Sequence, residues 1–362
     1  MNKPGSPDSR VRLSYGATLA ASDLIGRQIL DRVTDSKGKP VTIHEPSLAS
    51  YVINSARLAT PIYPHDAQTI VSLLNLNPSR PGEEDEDANA PPFEVFEAGT
   101  GMGSLTLHIA RAIHVANPAP SPQLRDALCS SPLRRDREAD ITVPSIELDD
   151  EASLAFSQYN KSRRAILHTL DSSPKRIRAA YKLVRNFRRA QYLPDVDFHL
   201  CSIDEYMTSR LDASNGEPVF SRAVLDLPSP QDHADKLVQA LHPNAVLVIF
   251  NPSISQIAEF HAWSTLNKKP LQLEKVLELP NTTANDGVHD GSSGGRHWAI
   301  KNVMPKTDTA PDGTPPRMVQ VMRPKVGDRL AGGGFVAVYR RWPAGSAVEE
   351  EFQSEEAEDD RD

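Results

Sequence analysis

The hydrophobic and polar positions of this chain switch repeatedly between a period of two and a period near 3.6, and the switches mark its elements. The apolar run Val95-Phe96-Glu97-Ala98 reads as a strand that enters three glycines, Gly99, Gly101 and Gly103. Beyond them Leu105, Leu107, Ile109, Ala110 and Ile113 recur at helical spacing. Residues 165–171 read as a second strand ending in an acid, followed by a helix over 175–190 with Ile177, Ala180, Leu183, Val184 and Phe187 inward. Residues 196–200 and 223–227 are further strands, the latter stopped by Pro228, which cannot donate to a ladder. A helix over 233–241, an unbroken apolar run over 245–250 that suits a strand buried on both faces, and a helix over 254–266 complete the alternation. Strands alternating with helices predict an α/β fold with a mostly parallel, doubly wound sheet.

The flanks read differently. An amphipathic helix over 67–76 places Ile70, Leu73 and Leu74 on one face, and before it Ser36-Lys37-Gly38 turns into the alternating run Lys39-Pro40-Val41-Thr42-Ile43-His44. Residues 1–59 therefore read as a small β-rich N-terminal domain and 60–345 as the main domain. Residues 115–164 lose periodicity, gain Pro118, Pro120, Pro122, Pro132 and Pro144, and read as a flexible insertion. Residues 281–316 are loop-rich, 276–278 begin a strand, 318–323 and 334–341 form a terminal antiparallel pair, and 346–362 make an acidic disordered tail.

Composition narrows the class. Hydrophobic residues are 39% of the chain and prolines number 30, so the core is concentrated in the periodic segments and the rest is loop. The 2 cysteines, Cys129 and Cys201, lie in unlike surroundings, which argues against a disulfide scaffold or a zinc site. No apolar run approaches membrane-spanning length and no secretory signal pattern opens the chain. The formal net charge of −8 disfavours unaided binding of a polyanion, so either the basic surface is local or a partner supplies it.

The glycine turn reads as a cofactor cradle: glycines permit a sharp bend and close approach, and the helix beyond leaves amide N–H groups facing the ligand. Glu97 ahead of the glycines separates this run from dinucleotide cradles and matches the Glu-x-Gly-x-Gly-x-Gly pattern of S-adenosylmethionine-dependent methyltransferases, whose ligand has no phosphate. Asp171, at the tip of the next strand, stands where open α/β folds put a carboxylate for ribose hydroxyls, or else caps the helix that follows. Arg176 either steadies the adenosine half or covers surface. Ser202 with Asp204 follows the third strand, where Ser202 and the backbone of Ile203 can meet an adenine amino group. Asp226 ends a central strand beside the crevice in Leu225-Asp226-Leu227-Pro228-Ser229-Pro230, whose prolines stiffen what it presents; it is the catalytic candidate, or else caps a helix or enters a salt bridge. The basic helix with Lys175, Arg176, Arg178, Lys182, Arg185, Arg188 and Arg189 either touches a phosphate backbone or is a solvated face. His44, His65 and His289 lack metal-ligand spacing, and no metal is assigned.

Three runs in this order, Ile62-Tyr63-Pro64-His65-Asp66-Ala67, Glu97-Ala98-Gly99-Thr100-Gly101-Met102-Gly103-Ser104-Leu105-Thr106 and Leu225-Asp226-Leu227-Pro228-Ser229-Pro230, resemble the catalytic subunit of the tRNA (adenine(58)-N(1))-methyltransferases. Residues 246–257 are similar to that family's fifth strand and helix, and Met322-Arg323-Pro324 with 334–338 to its closing hairpin. The resemblance implies a Rossmann-like class I methyltransferase domain behind a small β domain. It implies S-adenosylmethionine as cofactor and transfer to N1 of the T-loop adenine at tRNA position 58. On it, cofactor contacts fall at Glu97, Gly99, Gly101, Met102, Gly103, Ser104, Asp171, Arg176, Ser202, Ile203 and Asp226, with Asp226 also catalytic. The family usually has Ser at Met102, Glu at Asp171, an acid at Ser202 and His-Thr-Gly at 332–334. A heterotetramer with a non-catalytic tRNA-binding subunit, in the nucleus, is the implied assembly; a homotetramer and a mitochondrial location are the alternatives. A methyltransferase fold acting on another substrate, or a non-catalytic RNA-binding assembly subunit, is the alternative function.

Overall fold

The structure, a computed structural model, describes residues 9–13, 15–80, 83, 91–130, 148–280, 298–303, 318–324 and 332–343. The expected acidic tail, His289 and most of the loop-rich segment lie outside them. Two compact units divide the chain at Ala56/Arg57. The first contains two antiparallel hairpins, β1 (Arg10–Arg12) with β2 (Thr18–Ala20) and β3 (Arg32–Thr34) with β4 (Pro40–Thr42), and a short helix α1 (Leu48–Ile53). The turn between β3 and β4 is held by Asp35, whose Oδ1 accepts the backbone N–H groups of Lys37 and Lys39 at 2.8 and 2.9 Å.

The second unit opens with α2 (Pro64–Leu74) and continues through β5 (Phe93–Ala98), α3 (Ser104–Ile113), α4 (Pro122–Ser130) and α5 (Asp150–Ser162). Then come β6 (Ala165–Leu170), α6 (Pro174–Asn186), β7 (Val196–His199), α7 (Ile203–Ala213), β8 (Phe220–Asp226) and α8 (Ala234–Ala240). It closes with β9 (Leu241–Asn251), α9 (Ile254–Leu266), β10 (Leu271–Leu279), β11 (Trp298–Val303), β12 (Val319–Pro324) and β13 (Gly334–Arg341). Seven strands form one sheet in the order β10-β13-β9-β8-β5-β6-β7. β7, β6, β5, β8 and β9 are parallel, and β13 runs antiparallel to both of its neighbours. Every residue of β6 is buried, as a strand covered on both faces requires. α2, α3 and α6 cover one face, while α7, α8 and α9 close the other around Phe96, Tyr206, Phe220, Leu237, Phe260 and Tyr339.

Successive strands move outward from β5 in one direction to β6 and β7, then in the other to β8 and β9. That reversal puts a crevice at the carboxyl ends of β5 and β8, the place where open α/β sheets bind ligands.

Two expectations are corrected. The strand over 318–323 does not pair with 334–341: β12 pairs with β11 instead, and β13 has β9 on one edge and β10 on the other, so neither of its edges is open to a third partner. The described ends of the 115–164 segment are helical rather than loop. α4 buries Leu124 and Leu128, and α5 buries Tyr159, whose hydroxyl donates to Asp195 Oδ1 at 2.7 Å. Asp195 also accepts from Asn117 Nδ2 at 2.8 Å and meets His114 Nδ1 at 2.7 Å, so a fully buried carboxylate anchors the segment. Pro122 stands in the first turn of α4, where a helix tolerates proline; of the segment, only 131–147 lies outside the described residues.

Candidate active site

The cleft is built from the turn between β5 and α3. Gly99 has φ +95°, and a Cβ there would lie 2.1 Å from the carbonyl oxygen of Asp226, so only glycine lets the turn lie against the tip of β8. Gly103 has φ +87°, and a Cβ there would come within 2.8 Å of Ala180 Cα on α6; this glycine sets how closely the start of α3 packs on that helix. Gly101 lies between them and donates its N–H to Asp171 Oδ2 at 3.1 Å. The second oxygen of Asp171 accepts the N–H of Ser173 at 2.8 Å, so this carboxylate ties the glycine turn to the segment that leads into α6.

Asp226, Gly99, Thr100, Gly101, Met102, Ser104 and Leu105 line an open cleft, with Thr60, Pro61 and Ile62 forming its opposite wall. Among the described residues, none that lines the cleft is basic. Ser104 is tied down, its hydroxyl donating to the Ile62 carbonyl at 2.5 Å, which fastens the wall to the start of α3.

Glu97 lies beneath the turn and is 1% exposed. Its Oε2 accepts the hydroxyls of Thr106 at 2.6 Å and Thr169 at 2.7 Å; with the Thr169 hydrogen committed there, Thr100 donates to Thr169 at 2.7 Å. Burial is the main reason its carboxyl is pushed up to about 7, against the pull of the two threonines, and the charges of Asp226 and Asp171 add to the rise. Asp226 is likewise pushed up to about 7, by loss of hydration and then by Asp171, with Arg176 opposing. It stands part-exposed at the rim, so solvent screens some of that rise.

Of the residues predicted from sequence, Gly99, Gly101, Met102, Ser104 and Asp226 line the cleft; Glu97 and Gly103 lie behind it, and Asp171 reaches it through Gly101. Arg176 is half-exposed, with Nη1 3.7 Å from Asp171 Oδ1. Ser202 and Ile203 stand at the head of α7 and are not among the lining residues. The Ser202 hydroxyl and N–H both meet Glu205 Oε2, at 2.8 and 3.0 Å, in a capping box. Sequence reasoning missed Thr60, Pro61, Ile62 and Thr100, and the threonine clamp on Glu97. A hint was present in Thr106, since a threonine on the inner face of a helix has to place its hydroxyl somewhere.

The strand order, the glycine turn and the strand-tip acids define a Rossmann-like class I methyltransferase fold. By sequence the chain is similar to the tRNA (adenine(58)-N(1))-methyltransferases. It is 26% identical over 242 residues to the TrmI enzyme of that name from Thermus thermophilus, covering 67% of this chain and 66% of the relative, and the enzyme from a second strain of that organism matches at the same level. The chain thus spans just under two thirds of the length of these curated relatives. Among solved structures, an O-methyltransferase from Thermotoga maritima aligns with 93% of this chain and 87% of its own at TM-score 0.49 and 13% identity. The tRNA (m1A58) methyltransferase TrmI from Aquifex aeolicus aligns with 93% and 91% at TM-score 0.48 and 14% identity. No family model matches the chain.

Proposed function

We propose that this chain is the catalytic subunit of a tRNA methyltransferase that transfers a methyl group from S-adenosylmethionine to N1 of the adenine at position 58 in the T-loop. The observation that carries the reading is the convergence of the glycine turn and Asp226 on one cleft, with Glu97 and Asp171 behind it. Such a cluster of acids attracts a ligand that carries positive charge. When bound, S-adenosylmethionine supplies an electrophilic methyl group on a positively charged sulfur.

The residues divide the work. Asp171 holds the turn through Gly101 and keeps lone pairs for ribose hydroxyls. With the Ser202 N–H and hydroxyl both engaged by Glu205, the N–H of Ile203, in the first turn of α7 and outside its intrahelical ladder, is the group offered to the adenine end. Glu97 contributes charge from beneath. Adenine N1 bears an in-plane lone pair and is unprotonated at neutral pH, so attack needs alignment rather than a strong base. The positive charge leaves the donor and ends on N1 and N6 of the purine, where the Asp226 carboxylate, fixed beside the reacting face, lowers its energy. The target base must leave its stack to reach the cleft.

A net charge of −8 supports a division of labour with a second, tRNA-binding subunit; the family resemblance extends this proposal to a heterotetramer in the nucleus. The test is transfer of labelled methyl to an unmodified tRNA transcript, by the chain alone and with its co-purifying partner. Expected is incorporation at one site, read as a reverse-transcription stop at position 58. Absence of transfer in both cases refutes the reading, and transfer to a different position or molecule replaces its substrate.

A further inference from the structure

We infer that the outer face of α6 is a docking surface for the phosphodiester backbone of the RNA substrate, an inference that rests on the proposed tRNA activity. α6 carries Lys175, Arg176, Arg178, Lys182 and Arg185 and no acid, in a chain whose net charge is −8. Ile177, Ala180, Tyr181, Leu183 and Val184 bury its inner face, which leaves the basic residues outward, exposed or half-exposed. Among the described residues, Lys175, Arg178 and Lys182 enter no ion pair, while Arg176 approaches Asp171.

Local energetics run against this arrangement. Positive charges in the first turn oppose the helix dipole, which favours acids there. Lys175 with Arg178, Arg178 with Lys182, and Lys182 with Arg185 are like charges three or four residues apart, each pair repelling across one turn. A helix face selected only for solubility mixes both signs and gains from their pairing. This row weakens its own helix and gains only when a polyanion covers it. Phosphodiesters are the polyanion the position favours: α6 begins at Pro174, shortly beyond Asp171, and Arg176 approaches that acid, so the row starts beside the acids behind the cleft. Lys175 to Lys182 span about 10 Å at helical rise. Past the helix, Arg188 and Arg189, with φ of +44° and +56°, continue the exposed basic surface, and Arg189 pairs with Asp126.

The test uses the full chain with Lys175→Gln, Arg178→Gln and Lys182→Gln combined, and a second variant carrying Lys175→Arg and Lys182→Arg. Arg176 is left intact because it adjoins the cofactor site. Affinity for an unmodified tRNA transcript is measured by anisotropy over a salt series, alongside S-adenosylmethionine binding. Expected is a loss of at least about tenfold at low salt in the glutamine variant, with the slope of log affinity against log salt flattened by about 2–3. The arginine variant should bind like wild type, and cofactor affinity should be unchanged in both. A glutamine variant with the wild-type slope overturns the docking surface and leaves the methyl-transfer reading standing. Each affinity is measured for the chain alone and with its co-purifying partner; failure of wild type to bind tRNA in both forms overturns both readings, and binding of wild type to phosphatidylserine vesicles in place of tRNA assigns the face to a membrane instead.

Discussion

Asp226→Asn is expected to lower the rate of methyl transfer by about 10²–10³-fold while making the folded chain more stable at pH 8. The two effects come from the same charge. In the wild type the Asp226 carboxyl is pushed up to about 7, above its value in an unfolded chain. A raised acid contributes stability that is fully present below the unfolded value, near pH 4, and is lost as pH rises through the folded value. At pH 8 the ionised group burdens the fold, and the neutral asparagine removes that burden; after discounting for its place at the rim, the gain is about 1 kcal/mol. Near pH 4 the two chains should melt together. Thermal melts at both pH values, beside turnover, distinguish this account from simple unfolding, in which activity and stability would fall together. Wild-type turnover in the variant would remove Asp226 from the mechanism.

Gly99→Ala is expected to cost about 3–5 kcal/mol, because the added carbon meets backbone rather than a movable side chain. Its Cβ would lie 2.1 Å from the Asp226 carbonyl oxygen at a φ of +95°, so either the turn or the tip of β8 must shift. Gly101→Ala is the control. A Cβ there has 3.8 Å to its nearest neighbour, Gly99 O, and its φ of +54° costs about 1–2 kcal/mol in the left-handed region. It should fold, and bind cofactor more weakly because the methyl projects where the cleft lies. Denaturant titration of both variants checks the ordering, and equal losses would show that the β5–α3 turn does not bear on Asp226 as described.

Much of the parallel half of the sheet was legible in the sequence. β5, β6, β8 and β9 are interior strands whose burial on both faces writes them as apolar runs, while β7, at the edge, shows the alternating burial of its apolar and polar residues. The gathering of Glu97, Gly99, Gly101, Asp171 and Asp226 could be read because a topological switch point brings strand tips together in a predictable place. What escaped has a common cause. The pairing of β13 with β9 and β10 joins residues distant in sequence, and local alternation carries no register. α5 has a thin apolar face, Ala152 and Tyr159, and its docking depends on the hydrogen bond from Tyr159 to Asp195, which periodicity does not see. The clamp on Glu97 draws Thr100, Thr106 and Thr169 from three different segments, and the Thr60–Ile62 wall precedes the turn it faces by some forty residues.

The central claim, that three converging acids make the cleft a site for a cationic methyl donor, is tested most directly by calorimetry of S-adenosylmethionine in two buffers of different ionisation enthalpy. Burial pushes the carboxyls of Glu97 and Asp226 up to about 7, so both are part-protonated at pH 7. A cation favours their ionised forms, so binding should release up to about one proton at pH 7, with affinity rising between pH 6 and 7.5. Binding that takes up protons, affinity that falls across that range, or no binding at all would contradict the account.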